Sequence, residues 1–219
     1  MKFRCSSIGK LMTDPKTKSE GPLSVGAKTY IRELAAQEIF GVDFVISSKA
    51  IEKGIECEDS AITLLNRVRG LDLSKNAERR SNDFITGECD LFDERRKRGH
   101  DIKCSWSIQT FPILETDCLD KLYEWQMRGY MALWDADEWE VNYCLVDTPD
   151  RLIGFDPMEL HFVSGFPEQM RITTWTVKRD QEKEAAIFEK VKHASEYFKQ
   201  VIAEFDKTHA IANELKKAA

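Results

Sequence analysis

Apolar residues recur at intervals of three and four over Tyr30, Ile31, Leu34, Ala35 and Ile39, which predicts an amphipathic helix opened by Ser24 and stopped by Gly41. The preceding stretch, Thr13 to Ser24, mixes Pro, Gly, Ser and Lys without a period and reads as a mobile loop after a short first helix. A third helix is expected over about Ser48 to Val68. Short strands follow at about Leu71–Glu78, Phe84–Phe92 and Gly99–Trp106, the last two joined by the polar turn DERRKRG, whose closing Gly suits a hairpin. Leu119–Trp134 returns to helical spacing. Glu138–Asp147 alternates, with Trp139, Val141, Tyr143 and Leu145 on one face, and Glu159–Val163 and Arg171–Val177 are further strands. A long amphipathic helix carrying Ile187, Val191, Ala194, Phe198, Val201, Ile202 and Phe205 closes the chain. Helices, then a central mixed sheet with a crossover helix, then a helical tail predict an α/β (α+β) fold.

At 219 residues with 42% hydrophobic content, the chain suits one core, so a single domain over 1–219 is expected. The helix from about 180 would pack on that core or at a subunit interface. No run approaches the ~18 apolar residues of a membrane span, and Met1 to Lys10 lacks the apolar run of a signal peptide. The expectation is a soluble cytoplasmic protein with no membrane partner. Cys5, Cys57, Cys89, Cys104, Cys118 and Cys144 show no C-x-x-C pair and no zinc spacing to the four histidines, and read as reduced thiols, mostly buried. The net charge of -6 argues against nonspecific coating of nucleic acid, although acids at a metal site beside local basic patches give the same sum.

The chemistry sits where polar residues interrupt apolar patterns. At 100° per residue, Ile51, Ile55, Ile62 and Leu65 share one helical stripe, and Glu58 falls at its centre. A carboxylate there needs either a basic partner or a metal. Asp90 ends one strand, and Asp101 and Lys103 stand two apart on the next, so they share a face while Ile102 and Cys104 point the other way. Carboxylates without His or Cys favour a hard ion, Mg²⁺ or Mn²⁺, over zinc.

The series Glu58, GECD ending at Asp90, and D-I-K from Asp101 to Lys103 resembles the PD-(D/E)XK nuclease core, that of the restriction-endonuclease-like fold. QMRGY, from Gln126 to Tyr130, resembles the Q-x-x-x-Y motif of lambda exonuclease and the YqaJ-like viral recombinases. The opening FRCSSIGKLMT is similar to the start of the same exonucleases. The likeness runs from about residue 3 to 147 and departs at two points: Cys89 stands where the family has proline, and Asp101 where lambda-type enzymes more often carry Glu.

The resemblance implies that Asp90, Asp101 and the main-chain carbonyl of Ile102 hold Mg²⁺, two ions being expected, with Glu58 completing the shell. Lys103 and Gln126 would handle the attacking water. Arg4, Ser6 and Ser7 would bind the 5′ phosphate of a DNA end, with Tyr130 as a further DNA contact and Lys10 as an additional candidate. Apart from the resemblance, the basic clusters that hold Arg79 and Arg96, on the strand leading to Asp90 and in the hairpin turn, are either phosphate contacts or solvated faces. The implied activity is 5′-to-3′ exonuclease digestion of linear duplex DNA. A homotrimer and a single-strand annealing protein of the phage recombination type are the implied partners. An endonuclease on the same fold, and a DNA-end or partner-binding module without catalysis, are the alternatives. Ser105 and Ser107 are further candidate donors to the scissile strand.

Overall fold

The computed structural model describes the backbone of residues 1–218 and the side chains of 1–210. The chain opens with β1 (Phe3–Arg4) and α1 (Cys5–Ile8), followed after a long loop by α2 (Val25–Phe40). Ser24 caps α2 by accepting from the Ala27 N–H, and Gly41 ends it in the left-handed conformation at φ 64°, as its sequence predicts. The helix expected over Ser48–Val68 is two helices, α3 (Lys49–Glu56) and α4 (Glu58–Arg69), broken at Cys57 with φ -99° and ψ 3°. The break releases α3 from the apolar stripe: Ile51 and Ile55 face water, while Ile62 and Leu65 are buried.

Next come β2 (Arg79–Ser81), β3 (Ile85–Glu88), β4 (Leu91–Asp93), β5 (Arg98–Cys104), α5 (Lys121–Trp134), β6 (Glu138–Cys144), α6 (Asp150–Ile153), β7 (Ile172–Lys178) and α7 (Gln181–Ala218). Three expectations for strands need correction. Residues Leu71–Glu78 form no ladder; Asn66 bonds both backbone groups of Leu73, and the Asn76 N–H donates to the Asp90 carbonyl. The run Phe84–Phe92 is divided between two sheets, because at Asp90 a side chain takes over a ladder bond, Oδ2 accepting from the Ile102 N–H at 2.7 Å. Glu159–Val163 is a 3₁₀ turn over Met158–Leu160 and irregular chain tied to the Asp147 carboxylate.

One sheet has the order β1-β3-β2, the other β4-β5-β6-β7. Within the second, β5 and β6 run parallel with α5 as their crossover, pairing Asp101 with Val141 and Lys103 with Tyr143, while the outer pairs are antiparallel. Helices cover both faces, so β6 is buried along nearly its whole length. On one face Trp139 and Val141 pack with Met127, Tyr130 and Met131 of α5, and α2 and α7 close that layer through Ile31, Ile187 and Val191. On the other, Ile102 and Cys144 meet Ala61, Ile62 and Leu65 of α4.

The hairpin from β4 to β5 turns on Lys97, at φ 47°, and not on Gly99. Gly99 is required for a different reason: a Cβ there would lie 2.2 Å from the Trp139 ring, so the indole occupies the space of the missing side chain.

Candidate active site

Period 2 along β5 sends Asp101 and Lys103 toward α5, while Ile102 goes to the α4 side. The Lys103 ammonium lies 2.6 Å from Asp101 Oδ2 and 4.5 Å from the centre of the Tyr123 ring. Asp101 is 2% exposed, and its Oδ1 accepts from Gln126 Nε2 at 3.2 Å. Gln126 reaches it because Asp120 caps α5, accepting from the Leu122 and Tyr123 N–H groups and setting where the helix begins. Four residues on, Tyr130 shares the same helix face. Gln126 Nε2 also donates to the Tyr130 hydroxyl at 3.2 Å, and that hydroxyl donates to the Glu88 carbonyl at 3.0 Å.

Asp90, at the seam between the sheets, is fixed by the Ile102 N–H. Burial pushes its pKa up to about 7; the Asp101 charge, and to a lesser degree Glu58, push the same way against the Ile102 hydrogen bond and Lys103. For Lys103, burial disfavours the charged form, but the Asp101 carboxylate more than offsets it and holds the pKa above the ordinary lysine value. Glu58 occupies the first turn of α4, where the helix dipole favours an acid, and pairs with Lys75 Nζ at 2.5 Å.

The acids thus share one electrostatic neighbourhood. Among the described residues, however, no three His, Cys, Asp or Glu side chains stand close enough to cage an ion by themselves, and Glu58 is held by Lys75. The donor set still fits a hard divalent cation: its side chains are all carboxylates, and Asp101 Oδ2 is buried with the Lys103 ammonium as its close partner. A divalent ion would offset both the burial and the Asp101 charge that raise Asp90.

Beyond Tyr130 lies a hollow of about 100 Å³ lined by Arg4, Ser6, Arg79 and Tyr130. Arg79 is paired there with Glu88 at 2.8 Å. Ser7 does not join this hollow; it turns with Lys10 and Tyr30 into a larger groove that Arg4 also borders. Arg96 is not brought near the acids. It pairs with Asp93 at 2.6 Å and lines a separate hollow with Arg69, Arg98 and His100, on the α4 side of the sheet. Ser105 and Ser107 lie just past the end of β5 and are buried, as Asp101 is. Lys75 was invisible to sequence reasoning, since it lies in irregular chain without a period and meets Glu58 only through folding. All six cysteines are free, five of them buried. No helix among the described residues is long and apolar enough to cross a membrane.

No family model and no curated protein matches the chain. Among solved structures, it is similar to a phage-related exonuclease from Haemophilus somnus 129PT, with 40% identity over 94% of this chain and 96% of that one and a TM-score of 0.88. It is also similar to the alkaline exonuclease LHK-Exo from Laribacter hongkongensis, at 18% identity over 98% of this chain and 94% of that one, TM-score 0.67. LHK-Exo in complex with dAMP gives 20% identity over the same shares and a TM-score of 0.64. At these lower identities the likeness is one of fold.

Proposed function

The chain belongs to the lambda-exonuclease/YqaJ-like family of PD-(D/E)XK nucleases, and from that premise we propose that it digests linear double-stranded DNA from its 5′ ends with Mg²⁺ as cofactor. One observation carries this reading: the hydrogen bonds from Asp101 through Gln126 to Tyr130 connect the buried acids to the hollow bearing Arg4 and Ser6. A guanidinium and a hydroxyl suit a terminal phosphate, and the acids suit cleavage beside it. LHK-Exo has been solved with dAMP, a mononucleotide of the class this digestion would release.

In the proposed mechanism, Asp90, Asp101 and the Ile102 carbonyl would hold the cation, with Glu58 completing the set. The chemistry such an ion, Mg²⁺ or Mn²⁺, would supply there is acidification of a water and neutralisation of charge on the phosphate. Lys103, kept charged by Asp101, would orient the attacking water and stabilise the charge that develops as the phosphodiester bond breaks. Gln126 fixes Asp101 through Oδ1, leaving Oδ2 for the cation and Lys103. Tyr130 anchors the same helix to the carbonyl of Glu88, the last residue of β3, two residues before Asp90. Family likeness supports two further proposals: a homotrimer as the working assembly, and an annealing protein as partner in homologous recombination.

Incubation with Mg²⁺ of linear 5′-phosphorylated duplex and of closed circular DNA tests the reading. The linear form is expected to shorten from its 5′ ends to mononucleotides, the circle to remain intact, and chelation to stop digestion. Nicking of the circle would replace the exonuclease with an endonuclease, and no cleavage of either substrate would leave a binding module.

A further inference from the structure

Among the described residues, Lys53 is the one lysine buried to 0% exposure. The helix that carries it, α3, turns Ile51 and Ile55 out to water and ties its flanking Glu52 and Glu56 to Arg151. Burial alone would select the opposite arrangement, with the isoleucines inside and the lysine outside. A buried ammonium is retained only where its hydrogen bonds are satisfied. Here the partners are main-chain carbonyls: Lys53 Nζ donates to the carbonyl of Ser105 at 2.7 Å and to that of Trp106 at 3.0 Å. The Trp106 carbonyl takes a second bond from Thr148 Oγ1, at 3.2 Å.

These two carbonyls belong to the residues that leave β5. The Ser105 N–H donates to the Cys144 carbonyl at 3.0 Å, extending the parallel pairing of β5 and β6 by one rung. The strand end is therefore clamped from two sides, by β6 and by Lys53. Lys103 stands two residues upstream of Ser105, and its side chain leaves the opposite face of the sheet from the one α4 covers. A twist or slip at the strand end is transmitted to its ammonium, because successive side chains are set by the same pleat.

We propose that Lys53 is a positioning residue for the nuclease reaction: by holding the Ser105 and Trp106 carbonyls it fixes the end of β5, and with it the direction in which Lys103 meets the reacting phosphate. The proposal rests on the reading of Lys103 as the catalytic lysine.

Lys53→Met occupies similar space and donates nothing. With folded protein verified by thermal unfolding, digestion of 5′-phosphorylated linear duplex in Mg²⁺ is expected to lose about 10- to 100-fold in kcat, the scale of a small misplacement at a reacting group. KM is expected to stay within about threefold, a split that separates lost geometry from lost DNA binding. Thr148→Val, which removes the other donor to the Trp106 carbonyl, is expected to lower kcat in the same direction by less, and the double variant to fall short of the product of the two effects. If Lys53→Met does not fold, Thr148→Val decides: kcat lowered at constant KM supports the clamp, and unchanged kcat overturns it. A folded Lys53→Met with full kcat, or one changed only in KM, overturns the proposal while the wild-type enzyme still cuts. Wild-type protein that cuts no DNA overturns the nuclease reading instead.

Discussion

Replacing Lys103 with alanine is expected to remove nearly all cleavage while leaving the binding of duplex DNA in place. The ammonium is poised 2.6 Å from Asp101 and kept charged by it, so in the proposed reaction it would serve the phosphate without a change of protonation. Removing a preorganised charge of this kind costs on the order of 10²- to 10³-fold in kcat. It also leaves Asp90 and Asp101, two buried acids that already repel, without their nearest compensating charge. Lys103→Arg keeps the charge but places it on a longer, planar group, and is expected to recover only part of the rate. Single-turnover digestion of end-labelled duplex, with a gel-shift measurement of binding alongside, separates the two effects. Digestion by the alanine variant at the wild-type rate would sink the assignment of the site.

The second large effect is on stability. Trp139 is fully buried on β6, with Tyr130 5.1 Å away, Trp134 at 6.1 Å and Phe92 at 6.2 Å between ring centres. Trp139→Ala is expected to cost about 3–5 kcal/mol, a large share of the roughly 5–15 kcal/mol that holds a typical domain folded. Its indole N–H is buried without an acceptor, so Trp139→Phe should lose much less. Urea denaturation monitored by circular dichroism gives both values, and equal midpoints for the alanine variant and wild type would contradict this account of the core. Activity in the surviving folded fraction is expected to drop as well, because Tyr130, which holds Gln126, loses the surface it rests on.

Elements whose identity depends on their own residues were legible in the sequence. The helix α2 announces its cap, its stripe and its stop; α5, β6 and α7 follow from periodicity. Strand geometry alone puts Asp101 and Lys103 on one face, and the four-residue spacing puts Gln126 and Tyr130 on one helix face; that this face meets Asp101 is a contact only the fold supplies. What was not legible depends on partners distant in the chain. The stripe drawn through Ile51, Ile55 and Glu58 assumed one straight helix, whereas Cys57 breaks it and Lys53 takes the inward position. The division of Phe84–Phe92 arises because the Asp90 side chain substitutes for a backbone acceptor, which no local pattern encodes. The same holds for Lys75 on Glu58, and for the pairing that draws Arg96 onto Asp93 and away from the acids.

The ion pairs of Glu58 with Lys75 and of Asp101 with Lys103 also bear on how the polypeptide comes to be made. Glu58 and Asp101 each carry a counter-charge supplied by the chain itself, and Asp90 a hydrogen bond from the Ile102 N–H, so the cluster can close during collapse without an ion from solution. Small metallodomains lacking such provision unfold in a chelator, since their ligands have no other partner. This protein should keep its melting temperature there and lose only turnover, since the ion would enter a scaffold already built.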